Sequence, residues 1–206
     1  MKILTIANRK GGVGKTTTAI NLAAGLATLG KMVLLIDTDS QANATALYDV
    51  QPRKMLYHAL TAADVIGPAE CVYQVRERLW LMPADRRLLH AQRMLASDDD
   101  FDALKRIIDE LRDFDTIVID TPPSEESLFH NALRTADDVI IPIKMSYLAY
   151  IGAAEMLKVA GQLGANVAGL LPTFYDHRRQ MDRGLVTLLE DHFPDLVLNP
   201  IRENTA

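Results

Sequence analysis

The sequence predicts a single α/β domain, a doubly wound and mostly parallel sheet with helices on both faces. Two observations predict it. Short apolar runs alternate along the chain with longer stretches of helical spacing, as successive β and α units joined by crossovers require. The apolar runs are continuous rather than alternating, which is how strands buried on both faces read. The chain has 206 residues, enough for one domain with a full core. No repeat, low-complexity stretch or linker divides residues 1–206.

Taken in order, residues 2–8 form a first strand and residues 9–14 a glycine-rich turn. Helical spacing follows over 15–29, with Ile20, Leu22, Ala23, Leu26 and Ala27 on one broad face and Gly30 as the stop. Residues 32–36 are a second buried strand, and Leu79–Met82 is a weaker candidate. Residues 101–111 read as a helix. Asp98, Asp99 and Asp100 precede it, acidic charge that suits a helix N-terminus. Further strands fall at 116–119, 139–143 and 167–171, with a helix over 148–163 between the last two.

Composition removes several function classes. Hydrophobic residues are 49% and charged residues 24%, ordinary values for a soluble protein. A net charge of −5 argues against coating nucleic acid by bulk charge, while leaving room for a local basic patch. One cysteine, Cys71, cannot build a disulfide framework, a zinc site or a four-cysteine cluster within the chain. It reads as a small core residue in a reducing, cytoplasmic protein. The five histidines are scattered without ligand spacing. No segment approaches a membrane span, and the N-terminal apolar stretch is too short for a signal peptide.

The most informative segment is Lys10, Gly11, Gly12, Val13, Gly14, Lys15, Thr16 and Thr17, between a predicted strand and a predicted helix. Glycines let backbone N–H groups converge on phosphate oxygens, and the helix N-terminus adds unpaired donors and a favourable dipole. Lys15 can reach β and γ phosphates, and the Thr16 hydroxyl can ligate Mg²⁺. The usual pattern, G-x-x-x-x-G-K-[ST], puts its first glycine at position 9, where this chain has Arg9. In its place comes an additional lysine, Lys10. Two acidic motifs also sit at strand ends: Asp37 and Asp39 after 32–36, and Asp120 after 116–119. Ligands of open parallel sheets bind beyond the carboxyl ends of strands, so these loops are expected to converge. A carboxylate there suits a water-mediated hold on Mg²⁺. Taken singly, each aspartate reads equally as a strand end and turn start.

This loop resembles the deviant Walker A loop of the ParA/MinD superfamily of P-loop ATPases. The resemblance implies a P-loop NTPase fold binding ATP and Mg²⁺, with hydrolysis that is slow and stimulated by a partner. It implies that Lys10 reaches across a homodimer to the nucleotide of the other subunit, and that Asp120 is the Walker B aspartate. The D-x-D-x-Q segment implies Asp39 as the residue orienting water, with Asp37 supporting the waters of Mg²⁺. Thr16, Asp39 and Asp120 form the implied metal set. Residues 136–142, 147–149, 171–179 and 200–204 also resemble family segments, whereas 42–115 match loosely. Thr173 and Pro200 fall where the family contacts adenine. Family chains continue past this point into another helix, so this chain is either a compact member or one that runs beyond Ala206.

The superfamily divides by output. A metal-linked branch bridging two subunits needs two cysteines per chain, and this chain has only Cys71. The MinD-like membrane branch needs a basic amphipathic anchor, which the residues present lack. The branch that positions plasmids, chromosomes or protein cargo binds double-stranded DNA without sequence preference, is nucleoid-associated when ATP-bound, and uses a cargo adaptor or ParB-like activator. Arg178 and Arg202 match its DNA-contacting positions. Segment 173–206 nevertheless also carries Asp176, Asp182, Glu190, Asp191, Asp195 and Glu203, so its arginines read equally as solvated surface charge. An interaction module with protein targets alone is the remaining alternative.

Overall fold

The computed structural model describes residues 1–146 and 148–203. In chain order its elements are β1 (Lys2–Ile6), α1 (Lys15–Thr28), β2 (Val33–Asp37), α2 (Asn43–Ala46), α3 (Leu56–Thr61), β3 (Tyr73–Arg76), β4 (Leu79–Met82) and α4 (Leu88–Ser97). There follow α5 (Ala103–Asp109), β5 (Thr116–Asp120), α6 (Ser127–Thr135), β6 (Asp138–Lys144), α7 (Ala149–Gln162), β7 (Val167–Thr173) and α8 (Gln180–His192). The seven strands form one sheet in the order β3-β4-β2-β5-β1-β6-β7. All neighbours are parallel except β3 and β4, which bears out the doubly wound, mostly parallel reading.

Successive strand residues point to opposite faces, and the two faces carry separate cores. Ile3, Leu34, Ile36, Met82, Ile117 and Ile119 pack under α3, α4, α5 and α6. Ile6, Val33, Leu35, Leu81 and Val118 pack under α1 through Ala19, Ala23 and Ala27. A third cluster joins β6 and β7 to α7 and α8. Cys71 lies fully buried in the first of these cores. Helix α1 stops as predicted. Gly30 adopts φ 90°, its N–H bonds Ala27 O, and Lys31 N–H reaches back to Leu26 O, the paired bonds of a Schellman end.

Five helices, α2, α3, α4, α6 and α8, and one strand escaped the sequence reading. The buried face of α6 carries Ser127, Asn131 and Thr135 beside Leu128, Phe129, Ala132 and Leu133, so an apolar count misses its period. Asn131 lies fully buried because it donates to Asp100 O and Ser127 O and accepts from Leu104 N–H. Strand β3 is a half-exposed edge strand of alternating burial. Helices α4 and α8 are amphipathic, with Leu88, Ala91, Gln92 and Leu95 inward in α4. The acidic run needs correction. Asp98 caps the end of α4, and the next helix starts at Ala103 rather than 101. Only Asp100 serves that helix, accepting from Asp102 N–H and pairing with Arg106.

Candidate active site

The register of the sheet brings the predicted loops together. Asp120 is the partner of Ile6 on β1 and of Asp37 on β2, so the β1–α1, β2–α2 and β5–α6 loops leave side by side. Short hydroxyl bonds lock them. The N–H and Oγ1 of Thr38 both donate to Asp120 O, at 3.0 and 2.6 Å, and Thr121 Oγ1 donates to Ile6 O at 2.9 Å.

The glycine-rich turn is held open by its flanks. Asn8 Nδ2 donates to Pro142 O (2.7 Å), and Asn8 Oδ1 accepts from Lys10 N–H (2.9 Å). Gly12 and Gly14 take φ 68° and 90°, the left-handed region where a side chain is strained. Gly14 is the N-cap of α1 and supplies no capping side chain, so the first-turn N–H groups keep their capacity for an anion. The Lys15 side chain is buried, and its ammonium donates to Lys10 O at 3.1 Å, closing the loop on itself. Burial pulls the Lys15 pKa down, and the charges of Asp120 and Asp39 oppose that pull. Lys10 is exposed, and its ammonium makes no hydrogen bond or ion pair among the described residues. Arg9, in place of a glycine, pairs with Glu125 at 2.7 Å and Glu155 at 3.7 Å.

The three aspartates are not equivalent. Asp37 is fully buried and committed to the protein. Its Oδ1 accepts from Asp39 N–H, and its Oδ2 accepts from the N–H and Oγ1 of Thr45. Burial still pushes it up to about 6. Asp39 is buried and accepts from Gln41 N–H. Asp120 is fully buried, and neither carboxylate oxygen has a hydrogen-bond partner among the described residues. Burial first and the Asp37 charge second push it up to about 7. The Thr16 hydroxyl and Lys15 ammonium ease this, Thr16 by proximity and without an ordinary hydrogen bond. A buried, unpartnered carboxylate facing a lysine and a free hydroxyl favours further positive charge beside it.

Beside the loop opens a cavity of about 730 Å³, between Gly14, Thr17, Thr18, Asn21 and Leu22 on one side and β7 with the segment after α8 on the other. Thr173 lines it, buried, and its Oγ1 donates to Val13 O at 2.8 Å. Pro200 is not among the lining residues, although Leu198 and Ile201 are. The segments carrying Arg178 and Arg202 are adjacent, since Tyr175 bridges Arg202. Arg178 spends two guanidinium nitrogens on Asp176, each at 2.9 Å, and this holds the Asp176 carboxyl well below the usual range. Arg202 is exposed at the cavity rim. Tyr147 and Asn204 lie outside the described residues.

The sequence reading missed Asn8, Thr38, Thr45 and Thr121, whose hydrogen bonds shape the loops. Thr38 and Thr121 each follow an acidic strand end directly, a signal the sequence does carry. Thr45 is legible only once the loops are folded together.

Fold and loop together define a P-loop ATPase. The AAA_31 family model, an AAA domain, matches residues 1–169. The chromosome-partitioning ATPase Soj of Thermus thermophilus is 38% identical over 202 residues, 94% of this chain and 78% of the relative. Among solved structures, cobyrinic acid a,c-diamide synthase from Mycobacterium smegmatis, bound to an ATP analogue and magnesium, superposes with a TM-score of 0.90. It is 32% identical, with 100% of this chain and 88% of that one covered. An ATP complex of a Cyanothece McdA variant gives a TM-score of 0.87 at 28% identity, covering 99% and 84%. The chain belongs to the AAA_31 family and, within it, to the Soj and ParA partition ATPases.

Proposed function

We propose that the chain binds Mg·ATP in this loop, dimerises around the nucleotide and hydrolyses it slowly, as a positional switch acting over DNA. The observation that carries the reading is the buried Asp120 carboxylate, without a hydrogen-bond partner among the described residues, beside Lys15 and Thr16. Among the described residues no group of three or more histidine, cysteine or carboxylate side chains could hold a metal ion. That suits an ion whose remaining oxygens come from a hydroxyl, water and phosphate. The Thr16 hydroxyl and Asp120 would hold it, Asp120 through water. When bound, Mg²⁺ neutralises phosphate charge as it develops.

The chain's own residues supply the remaining steps. The N–H groups of Gly11, Gly12, Val13, Gly14, Lys15, Thr16 and Thr17 cradle the phosphates, and Lys15 neutralises them. Lys10, exposed and with its ammonium unpaired among the described residues, crosses to the nucleotide of a second subunit and makes dimerisation depend on ATP. Asp39 orients the attacking water, and Asp37 fixes the Asp39 backbone through its Oδ1 bond. Thr173 and the segment at Pro200 border the base.

The output is DNA-based positioning. The Soj and McdA similarities support it, as does the adjacency of the Arg178 and Arg202 segments, which a dimer would double. Contacts of this kind go to phosphates and carry no sequence preference. The chain is expected at the nucleoid when ATP-bound, with a cargo adaptor or ParB-like activator stimulating hydrolysis. The test is binding to random double-stranded DNA with ATP, with ADP and without nucleotide, at two salt concentrations. Binding with ATP alone, weakening as salt rises, is expected. ATP-dependent dimers that ignore DNA in every condition would transfer the output to a protein or membrane target.

A further inference from the structure

Helix α4 packs one face into the core and leaves the other exposed. Leu88, Ala91, Gln92 and Leu95 point inward. The first turn begins at Arg86, whose carbonyl accepts from Leu89 N–H. Arg86, His90 and Arg93 follow one another at helical spacing and form an exposed line opposite the buried residues. Leu89 and Met94 flank this line, 43% and 39% exposed. Tyr57 of α3 extends the face. Its ring lies 6.3 Å from that of His90, and Arg87 Cζ lies 5.2 Å from its centroid.

This face is not arranged for the stability of the helix. Its charges oppose the helix dipole, which favours acids at the N-terminus and bases at the C-terminus. Arg86 and Arg87 stand at the start, the first turn holds no acid, the last turn holds no base, and Asp98 caps the end. Arg86 and Arg93 also have no carboxylate partner among the described residues, whereas Arg87 beside them is committed to Asp85 at 2.7 Å. Arg178 and Arg179, after β7, are likewise held by acids. Two uncompensated guanidinium groups, two helical turns apart, are forked donors for carboxylates. Leu89 and Met94 select the kind of anion. A nucleic-acid backbone has no apolar group to cover them, and an acidic polypeptide with apolar side chains does. Arginine, methionine and tyrosine are also the residue types enriched where proteins meet.

We propose that the outer face of α4 docks an acidic, amphipathic segment of a partner protein, with carboxylates on Arg86 and Arg93 and apolar side chains over Leu89 and Met94. The face is joined to the candidate active site. Ala84 N–H donates to Thr45 Oγ1 at 2.9 Å, and Thr45 Oγ1 donates to Asp37 at 2.8 Å, so the strand end that leads into α4 is tied to the loop after β2. Docking itself needs no nucleotide and stands apart from the reading of the phosphate loop.

The test is fluorescence anisotropy of a labelled synthetic helical peptide, titrated with the full chain without nucleotide. The peptide carries glutamates at i, i+4 and i+7 with leucines beside them. One control peptide has lysine in place of each glutamate, and a second has the same residues in scrambled order. The glutamate peptide is expected to bind, more weakly as salt rises, and both controls to bind about tenfold more weakly or less. Arg86→Glu and Arg93→Glu should each weaken the glutamate peptide by about tenfold or more, because each sets like charges against one another. The double variant should bind the lysine peptide better than the wild type does, which separates a reversed surface from an unfolded chain. Three results would overturn the proposal: no binding of the glutamate peptide to the wild type, equal binding of all three peptides, or binding that both substitutions leave unchanged. Loss of random duplex DNA or of phosphatidylglycerol vesicles in Arg93→Glu, with the glutamate peptide ignored throughout, would also overturn it and make the face a phosphate-binding surface.

Discussion

Replacing Asp120 with asparagine tests the electrostatics of the site without nucleotide. The carboxylate is pushed from 3.8 to about 7, so between those values the folded chain keeps a proton that the unfolded chain has released. Stability of the nucleotide-free protein therefore falls as pH rises through this window and levels off above it. At about 1.4 kcal/mol for each pH unit, the full interval is worth about 4 kcal/mol, with about 3 kcal/mol of it between pH 5 and pH 8. Asparagine carries no charge at any pH. Its amide brings a roughly constant cost for unmet hydrogen bonds, so the slope is the diagnostic quantity. Relative to wild type, Asp120→Asn should gain about 3 kcal/mol in going from pH 5 to pH 8, read by urea unfolding in the presence of a chelator. Adding Mg·ATP should flatten the wild-type slope, because a cation beside Asp120 favours its charged form, and leave the variant's slope as it was. A difference between the two proteins that stays level across this range would mean that Asp120 is hydrated, and that it needs no cation to satisfy it.

Three other perturbations separate the parts of the site. Asp39→Ala is expected to bind ATP and dimerise while losing turnover; steady-state hydrolysis at the wild-type rate would remove its assigned role. Lys10→Ala should bind ATP with near wild-type affinity yet remain monomeric in sedimentation, and an ATP-dependent dimer would show that Lys10 is not the link between subunits. Gly169→Ala places a methyl 2.5 Å from Leu198 Cγ, closer than carbon atoms approach. A loss of about 1–3 kcal/mol follows from this overpacking, together with weaker nucleotide binding, since Leu198 lines the cavity. Unchanged thermal stability would contradict the packing.

The phosphate loop was legible because its signal is local. Eight consecutive residues specify a turn, a helix start and a charge, and a parallel sheet then forces Asp37 and Asp120 into register beside it. What is built from contacts between distant segments was not legible. The buried polar face of α6 is stabilised by Asp100 and Leu104 of an earlier segment, and no periodicity count anticipates that Asn131 will be satisfied. Asp37 shows the same limit within the site. Its position was readable, but its oxygens are occupied by Asp39 N–H and by Thr45, eight residues away on the next helix, which makes it more a loop brace than a free acceptor.

The basic segment after β7 is the hardest case, and its geometry sharpens the proposed output. Acids are interspersed with the arginines along this stretch of sequence, and the fold pairs them. Arg178 is held by Asp176, and Arg179 by Glu203 at 3.0 Å and Asp176 at 3.7 Å. On the proposed reading, a DNA phosphate must compete with Asp176 for Arg178, so one subunit gains little by exchanging one anion for another. Exposed pairs of this kind are screened by solvent and hold weakly, which makes the exchange easy but weakly driven. Arg202 has no carboxylate partner among the described residues. Two such faces side by side let a single duplex engage both at once, and the second engagement then occurs at high effective concentration. On that reading, a requirement for a dimer follows from how weakly basic one copy is. A strongly basic face would bind DNA as a monomer and leave the nucleotide nothing to control.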